Sequence, residues 1–551
     1  MTNKELADLL LPNVNSNIDY YENMYPSRDL SEGAIVTRFA PSPTGFVHMG
    51  SLFASFIGKK AATDSNGIFY LRIEDTDQKR EVENGINGII NDLNNFGITV
   101  DEGAISETEE IGNYGPYIQS KRKEIYQTYV KYLIEQGLAY PCFCSPEEIE
   151  ETRQIQEKRK QRIGYYGRYA KCRRLSFDEI KEKIENGESY IIRFKSPGSF
   201  DNRIKVNDLV KGEIEFPEND MDLVILKSDG LPTYHFAHVI DDHLMHTTHV
   251  IRGDEWISSL PVHIQLFKAL NFKVPKYAHL SPIMKEEDGK KRKLSKRKDP
   301  EAAVNFYHEK GIPVEAVKLY LMTIANTNFE QWYDCNKDKS LSDFKFSFKK
   351  VSSSGALFDV DKLYNISKNY ISYLKATDVY SGLLNWTSEF DKEFYDILIK
   401  HKDYAIKLFN IEREQKKPRK DYSCYSMIKD QVWYMFDELF IPNAYEFQSI
   451  EDKEEIKKIL DLYINKYYNE NDDKDMWFNK LKDLADELGY AREVKEYKNN
   501  PASYKGHVGD ISMVLRVALT TKSMTPDLYE LMLLLGKDRI IKRYSDFIKG
   551  Y

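Results

Sequence analysis

Apolar residues near the start of the chain follow a strand period and a helix period in turn. The segments 34–39 and 68–73 are short apolar runs that predict buried strands. A helix is predicted between them, over about 50–64, and apolar residues recur at helical spacing again from Ile86 to Phe96. The order strand, helix, strand, helix predicts a βαβ unit in a parallel, doubly wound sheet.

The pattern changes after this unit. Capping boxes at Ser145 and Ser176 predict helices in an intervening segment, and strand-like runs resume at 223–226 and 248–252. From about residue 300 onward the spacing of apolar residues is mainly helical. We therefore predict an α/β N-terminal half, a Rossmann-like doubly wound parallel sheet with an inserted α+β domain, followed by an all-α C-terminal half.

Composition and charge exclude several classes of protein. The chain has 551 residues, of which 41% are hydrophobic and 30% charged, as in globular proteins of several domains. A formal net charge of −8 argues against a protein that coats nucleic acid indiscriminately. Neither a membrane-length apolar run nor a signal or transit peptide is visible, so we expect a cytoplasmic protein without membrane contact.

The loop after the first strand contains His48-Met49-Gly50-Ser51, where a helix is predicted to begin. Amide groups at a helix N-terminus bind phosphate, and a glycine there lets a nucleotide approach the backbone. His48 could donate a hydrogen bond to a phosphate oxygen as negative charge shifts during attack at phosphorus. The alternative is a tight turn with a surface histidine.

A strongly basic segment lies far downstream, where seven of the nine residues 290–298 are Lys or Arg. Gly289 and the Leu294-Ser295 interruption are typical of a mobile loop that could close Lys293 and Lys296 over a triphosphate. A solvated basic loop or a nucleic-acid patch is the alternative. Together with His48, this segment predicts a two-part ATP site.

These motifs resemble those of the class I aminoacyl-tRNA synthetases, specifically the bacterial-type glutamyl-tRNA synthetase family. The resemblance covers roughly residues 33–551 and rests on RFAPSPTG (38–45), LRIEDTD (71–77), PTYH (232–235), DDH (241–243) and VIRGDEW (250–256). The glutaminyl-tRNA synthetase family would be expected to read PEPNG and FDDTN at the first two places, and this chain does not.

The resemblance implies a ligase that acts in two steps. Glutamate and ATP, with Mg²⁺ bridging the phosphates, give glutamyl-adenylate and pyrophosphate, and the 2′-hydroxyl of the terminal adenosine of tRNA(Glu) then takes the glutamyl group. It implies further that activation needs bound tRNA, and tRNA(Gln) is a second candidate substrate. The implied catalytic residues are His48, Lys293 and Lys296, and the implied ATP-binding residues are His48, Gly50, Ser51, Lys293, Ser295, Lys296 and Arg297.

The chemistry of glutamate agrees with this reading. Two carboxylates and one ammonium require two cations and one anion, which Arg38, Arg252 and Glu74 would supply at the carboxyl edge of the sheet. The alternative is that the three are strand-end surface charges in ion pairs. The resemblance implies the glutamate-binding residues Arg38, Ala40, Ser42, Glu74, Tyr234, His238 and Arg252.

One position departs from the family pattern. His238 stands where many members have Asn, and its imidazole could replace the amide or could lower glutamate affinity at alkaline pH by losing a proton. A metal site in the histidine-rich segment 235–249 is a weaker alternative.

Three cysteines of the inserted segment, Cys142, Cys144 and Cys172, could form three corners of a tetrahedral structural zinc site. No histidine lies between residues 49 and 234, so Tyr169 is the candidate fourth ligand and Tyr166 the alternative. The resemblance implies a tyrosine in this role. Three reduced cysteines that pack a small hairpin are the competing interpretation.

The resemblance also divides the chain. We expect an N-terminal extension (1–32), a catalytic domain in two halves (33–110 and 223–288), an inserted tRNA acceptor-binding domain (111–222), the KLSKR loop with a helical stem-contact domain (289–390) and a helical anticodon-binding domain (391–551). The basic runs 158–160, 173–174 and 416–420 are candidate tRNA contacts, although each taken alone favours a solvated face. A monomer is expected.

Two other functions are weighed against this one. A truncated relative that glutamylates a modified tRNA base would lack the C-terminal anticodon domain, for which this chain has ample length. A catalytically silent tRNA-binding protein on the same fold would have lost His48, Glu74 or Lys296, and all three are present.

Overall fold

The computed structural model describes residues 2–45, 47–77, 82–295, 297–337, 339–442 and 445–550. The chain forms two compact units, Met1–Phe306 with Lys318–Asp359, and Tyr307–Val317 with Val360–Tyr551. The strands are β1 (Val36–Phe39), β2 (Ile68–Leu71), β3 (Glu102–Ala104), β4 (Glu110–Ile111), β5 (Ala139–Cys142), β6 (Ile191–Phe194), β7 (Arg203–Asp208), β8 (Gly212–Pro217), β9 (Val224–Leu226), β10 (His249–Gly253), β11 (Lys276–Leu280), β12 (Met284–Glu287) and β13 (Lys290–Lys293).

The helices of the first half are α1 (Asn3–Leu10), α2 (Ile18–Met24), α3 (Met49–Asp64), α4 (Gly85–Asn95), α5 (Lys123–Glu135), α6 (Pro146–Lys158), α7 (Phe177–Glu185), α8 (Tyr234–Leu244), α9 (Leu260–Ala269), α10 (Asn305–Glu309), α11 (Val314–Ala325) and α12 (Phe329–Cys335). Those that follow are α13 (Val360–Tyr373), α14 (Ala376–Phe390), α15 (Lys392–Lys400), α16 (Lys402–Asn410), α17 (Ile428–Val432), α18 (Lys453–Leu462), α19 (Lys474–Glu487), α20 (Val494–Asn499), α21 (Val508–Thr520), α22 (Leu528–Leu535) and α23 (Lys537–Gly550).

The predicted βαβ unit is confirmed. Strands β1 and β2 pair in parallel with Val36 opposite Ile68, β3 continues the parallel sheet, and α3 crosses between β1 and β2. Helix α3 lies close to the sheet, because a Cβ added at Gly58 would stand 3.2 Å from the Phe69 ring. Strands β10 and β11 form a second parallel pair, and the Thr248 amide donates to the Val36 carbonyl (2.9 Å), which brings β10 beside β1.

The inserted region is tied to this sheet. Strands β5, β6 and β9 form an antiparallel sheet of their own, whereas the β7–β8 hairpin joins the edge of β11 through the pairing of Tyr277 with Asp208. Both predicted capping boxes are present, with the amides of Glu148 and Glu179 donating to the hydroxyls of Ser145 and Ser176. The end of β7 therefore lies beside the start of β11, and the Asp208 carboxylate extends along that strand to His279.

The N-terminal segment packs on the first unit as two short helices. Leu6 and Leu10 are buried in the same core as α5. Arg28 forms a bidentate pair with Glu102 (2.7 and 2.9 Å), and Glu22 accepts a hydrogen bond from Tyr129 (2.8 Å). These contacts make the segment part of the unit that carries the parallel sheet.

The basic segment begins as a strand, not as the mobile loop that its composition favours. Strand β13 pairs antiparallel with β12 through a two-residue turn at Asp288 and Gly289, whose φ angles are 51° and 72°. Positive φ at both positions is the geometry that Asp-Gly favours in hairpins. Leu294 is buried and its amide donates to the Ile283 carbonyl (2.9 Å), so the residues that follow start from a fixed point.

The second unit is built from helices around its own apolar core, which includes Leu383, Ile459, Leu515 and Leu531. The prediction of an all-α C-terminal half is confirmed. Among the described residues, no helix is both long enough and apolar enough to cross a membrane.

Candidate active site

One cavity of about 460 Å³ lies at the carboxyl edge of the parallel strands. The predicted site residues that line it are Arg38, Ala40, Ser42, His48, Gly50, Ser51, Arg252 and Lys293. The cavity thus brings together residues on and after β1, Arg252 of β10 and Lys293 of the β12–β13 hairpin. Ligands bind at this edge in open α/β sheets.

The phosphate-binding candidates sit at the start of α3. His48 is the N-cap, and its Nδ1 accepts a hydrogen bond from the Gly50 amide (2.9 Å). Since Nδ1 is an acceptor, the neutral ring carries its proton on Nε2 and can donate from there. Gly50 and Ser51 add the first-turn backbone of a 16-residue helix, where anions are favoured.

The basic hairpin is anchored by Asp299. Its carboxylate accepts two bonds from Arg292 (2.6 and 2.8 Å) and one from the Ser295 amide (2.8 Å). Lys285 lies 3.3 Å away, and Arg292 holds the Asp299 pKa well below its usual value. Of the predicted ATP ligands in this segment, Lys293 lines the cavity, Ser295 and Arg297 do not, and Lys296 lies outside the described residues.

Arg38 and Arg252 stand on strands β1 and β10, and both are nearly buried. The Arg252 Nη1 donates to the Tyr234 hydroxyl (3.2 Å), so Tyr234 adjoins the cavity although it does not line it. Burial lowers the pKa of Arg38, but Asp242 together with Tyr70 and Glu74 outweighs burial, and the net shift is upward. Both guanidinium groups therefore carry positive charge into a largely water-free region.

Asp242 on α8 connects the buried charges behind the cavity. It accepts from Arg72 (2.7 Å) and Arg38 (3.3 Å), and the His238 Nδ1 lies 3.0 Å from its second oxygen. Burial would raise the pKa of Asp242, but the two guanidinium groups hold it well below its usual range. Asp242 is therefore a permanent anion that aligns Arg38.

Glu74 lies beside the same group of charges. Its carboxylate accepts from Arg72 (3.1 Å), and burial raises its pKa in spite of Arg72 and Arg38. Of the residues predicted to bind the substrate ammonium, Glu74 is the one whose own charge depends on Arg72 and Arg38. It does not itself line the cavity.

His238 does not behave as its position in the sequence suggested. It is fully buried, and burial lowers its pKa to about 3, so the imidazole is already neutral near pH 7. Its Nδ1 lies 3.0 Å from an oxygen of Asp242 and 3.4 Å from the Arg38 Nη2, and its Nε2 lies 3.2 Å from the Tyr277 hydroxyl. The expectation that His238 loses a proton at alkaline pH is therefore wrong.

The three cysteines of the inserted region meet, but with a different tyrosine. Their sulphurs lie within 4.8 Å of one another, and the Tyr165 hydroxyl is 3.5 Å from the Cys142 sulphur and 3.4 Å from that of Cys144. The hydroxyl of Tyr169 instead donates to Gln161 (2.5 Å), and the hydroxyl of Tyr166 donates to the Arg162 carbonyl (2.8 Å). Neighbouring sulphurs hold the pKa of Cys142 far below that of an ordinary thiol.

The residues that sequence reasoning missed are mostly the partners of the predicted ones. Arg72, Asp242, His279 and Asp299 fix the groups that line the cavity, and Tyr165 completes the cysteine cluster. Arg72 and Asp242 lie inside matched motifs, which is a usable signal. Tyr165 could have been found only from the fold of the loop.

A cavity of about 480 Å³ in the helical unit is lined by aromatic rings and by charged groups of both signs, including the acidic Glu412, Asp475 and Asp527. It includes Arg419, Lys474, Trp477, Phe478 and Arg516. Phe478 is 39% exposed, and the Lys482 Nζ lies 4.9 Å from the centre of its ring. In the other candidate basic runs, Arg173 pairs with Asp222 (2.8 Å), and the 158–160 run is exposed.

Comparisons with known proteins agree with this geometry. Residues 34–365 match the family model "tRNA synthetases class I (E and Q), catalytic domain", and residues 421–548 match "Anticodon binding domain". The glutamate–tRNA ligase of Clostridium perfringens (strain SM101 / Type A) is 50% identical over 551 residues, with all of both chains covered. That of Acetivibrio thermocellus is 48% identical, with 98% of this chain and 99% of the relative covered.

A solved structure extends the match to three dimensions. The crystal structure of a glutamate tRNA ligase from Elizabethkingia meningosepticum in complex with its amino acid superposes with a TM-score of 0.75 at 27% identity, covering 94% of this chain and 99% of that one. The match to an anticodon-binding domain argues against the truncated base-modifying relative. From its catalytic sheet to its helical C-terminal half, the chain belongs to the glutamate–tRNA ligase family of class I tRNA synthetases.

Proposed function

We propose that the chain attaches glutamate to tRNA, and that the cavity at the sheet edge carries out both steps. The observation that carries this proposal is the joining of a helix N-terminus, two buried guanidinium groups and a basic hairpin around one cavity. The helix N-terminus and the basic hairpin suit a triphosphate, and the two guanidinium groups suit carboxylates. The product would serve protein synthesis.

In the activation step, the α-carboxylate of glutamate attacks the α-phosphorus of ATP and pyrophosphate leaves. His48 donates from Nε2 to the phosphate on which charge accumulates, and Lys293 and Lys296 stabilise the leaving pyrophosphate. ATP enters as its Mg²⁺ complex, in which the metal neutralises phosphate charge. Glu255 is the only carboxylate among the described lining residues, so phosphates and water are the expected metal ligands.

Recognition of glutamate rests on charge. Arg38 and Arg252 pair with its carboxylates, Tyr234 orients Arg252, and Glu74 holds the ammonium with Ser42 and the Ala40 backbone. His238 acts indirectly, because its Nδ1 lies beside both Arg38 and the Asp242 that aligns Arg38. A neutral glutamine side chain would leave one guanidinium without its counter-charge.

We propose a structural Zn²⁺ held by Cys142, Cys144, Cys172 and Tyr165. Three thiols and one phenol oxygen at these separations match the donor number of tetrahedral zinc, and Tyr165 replaces Tyr169 and Tyr166 as the fourth donor. Metal analysis of the purified protein should find one zinc per chain. Cys172→Ser should lower that content, and Cys335→Ser, at an exposed cysteine, should not.

The cavity of the helical unit is a candidate nucleotide site for the tRNA anticodon. Arg516 supplies positive charge, Lys474 is paired with Asp527 (2.8 Å), and the exposed Phe478 offers a stacking face. Phe478→Ala should raise the KM for tRNA and leave the KM for glutamate unchanged. Met476→Ala is the control, because Met476 is 51% exposed on the same helix and does not line the cavity.

The decisive experiment is aminoacylation of purified tRNA(Glu) and tRNA(Gln) with labelled glutamate, and in parallel with labelled glutamine. Charging of tRNA(Glu) with glutamate is expected. Whether tRNA(Gln) is also charged with glutamate decides whether the enzyme distinguishes the two tRNAs. ATP–pyrophosphate exchange with and without tRNA tests the tRNA requirement of activation. Lys296→Ala should abolish charging while tRNA binding is nearly retained, and unchanged charging would refute the role of Lys296.

A further inference from the structure

Arg252 is held on three sides. Its Nε donates to the His279 Nε2 (3.0 Å), its Nη1 to the Tyr234 hydroxyl (3.2 Å) and its Nη2 to the Trp256 carbonyl (3.3 Å). The first contact differs from the others, because Arg252 and His279 are direct register partners on the parallel strands β10 and β11. His279 is fully buried, so no water competes for that bond.

His279 is itself held by a residue of the inserted region. Its Nδ1 lies 2.7 Å from an oxygen of Asp208, and its backbone amide donates to the same carboxylate (3.1 Å). Asp208 ends β7, is 2% exposed and also accepts from the amides of Val210 and Lys211 (both 2.9 Å). These contacts fix the carboxylate before any substrate arrives.

The hydrogen-bond directions leave one arrangement. The ionised Asp208 only accepts, so the His279 Nδ1 carries a proton, and Arg252 only donates, so Nε2 offers its lone pair. Burial, aided by the charge of Arg252, lowers the His279 pKa, which keeps the ring neutral, whereas hydrogen bonds from His279 and the backbone keep the Asp208 pKa low despite burial. Arg252 therefore donates to His279, and His279 donates to Asp208.

We propose that Asp208 and His279 are positioning residues for glutamate recognition, which fix the rotation of the Arg252 guanidinium so that its free edge meets a substrate carboxylate. The proposal rests on the assignment of Arg252 as a glutamate ligand. A guanidinium pairs well with a carboxylate only when the two planes are aligned, so a loss of rotational control weakens glutamate binding. The inserted region thereby contributes to the amino-acid site as well as carrying the cysteine cluster.

Two amide substitutions at His279 separate this role from simple packing. In His279→Gln the side-chain oxygen can reach the place of Nε2 and accept from Arg252, while the bond to Asp208 is lost. In His279→Asn the amide nitrogen takes the place of Nδ1 and keeps Asp208, while the acceptor for Arg252 is lost. The readout is ATP–pyrophosphate exchange in the presence of tRNA, with glutamate and ATP titrated separately.

We expect His279→Asn to raise the KM for glutamate by about 10- to 100-fold, with the KM for ATP unchanged, as follows from an unpaired buried donor. His279→Gln should stay within about threefold of the natural protein, because the bond to Arg252 is kept. A purely structural role predicts the reverse order, since Gln gives up the tie between β7 and β11. That order, or equal effects that follow the loss of thermal stability, would overturn the proposal.

Asp208→Asn gives an independent test. An amide group facing Nδ1 would shift the ring proton to Nε2, where it opposes the Arg252 Nε–H, so the KM for glutamate should rise again. Lys205→Gln, at a 61% exposed side chain on the same strand, is the matched control and should change nothing. Arg252→Gln separates the ligand role of Arg252 from the positioning role of Asp208 and His279. An unchanged KM for glutamate would refute Arg252 as a ligand. A raised KM for glutamate in Arg252→Gln, with normal values in the Asp208 and His279 variants, would refute only the positioning role.

Discussion

Glu74 is a buried carboxylate whose charge depends on its neighbours. Burial raises its pKa, while Arg72 and Arg38 oppose the rise. Since a raised carboxyl pKa means that the charged form is lost earlier as the pH falls, the ammonium of glutamate should lose its partner on the acid side. The affinity for glutamate then depends partly on whether the Glu74 carboxyl group is protonated.

We expect the KM for glutamate to rise as the pH is lowered below neutrality. Glu74→Gln should raise this KM by about 10- to 100-fold at neutral pH, because a charge-assisted hydrogen bond is lost, and should flatten the acid-side dependence. Steady-state exchange assays at several pH values measure both. Glu109→Gln, on an exposed side chain, is the control, and an acid-side rise that persists in Glu74→Gln would assign it to another group.

His238 leads to the opposite expectation. A pKa of about 3 leaves the ring neutral at and above pH 7, so the KM for glutamate should show no alkaline step from this residue. His238→Asn loses the ring nitrogen that faces the Tyr277 hydroxyl, which should cost about 1 kcal/mol of stability in thermal unfolding. An alkaline rise of KM that disappears in His238→Asn would contradict this account.

At the scale of elements, the β12–β13 hairpin turns a basic run into a fixed base for the signature segment. Arg292 and Lys285 both face Asp299, whose side chain is 1% exposed. Removing this one anion would leave two cations close together and release the Ser295 amide. The hairpin therefore fixes the position from which the lysine-rich segment would extend toward the phosphates.

Asp299→Asn should lower the kcat of glutamate activation by about tenfold, since the loss of an aligned ion pair and amide contact is on the order of 1–2 kcal/mol. The KM for glutamate should stay constant, because none of the carboxylate ligands is disturbed. Stopped-flow measurement of pyrophosphate release separates the two. Glu287→Gln removes the 51% exposed partner of Arg292 and should have little effect; equal losses in both variants would mean that any charge near Arg292 matters.

The hairpin also marks what the sequence could and could not predict. Strands β1 and β2, helix α3 and the capping boxes follow from local periods and cap residues, and the structure has them within two residues of prediction. The sequence pattern did not predict strand β13, because lysines carry little strand signal. The site ligands follow from motifs, whereas Tyr165, Asp208 and His279 are brought in by long-range packing that no local pattern encodes.

At the scale of the molecule, an acidic protein must bind an acidic partner. With a net charge of −8, favourable contact with tRNA must come from local cations such as Arg516 and the exposed run 158–160. Such contacts release counterions from the nucleic acid and are strongly screened by salt. The amino-acid pocket is buried and should be screened far less.

We expect the KM for tRNA to rise steeply with salt, by about tenfold or more between low and physiological ionic strength, with a much smaller change in the KM for glutamate. Arg516→Gln should reduce the slope of log KM against log salt by about one unit or less, as for one lost phosphate contact. Lys392→Gln, at a 70% exposed lysine of the same unit, is the control. Equal slopes for tRNA and glutamate would refute the separation.

The N-terminal segment has a consequence for how the chain is made. Its partners lie far along the sequence: Arg28 pairs with Glu102, Glu22 with His243 (3.0 Å), and the Tyr25 carbonyl with His246 (2.8 Å). A ribosome releases the segment before these partners, and His246 lies 221 residues beyond Tyr25. The segment must therefore wait for its partners, and its docking would report that α8 has formed.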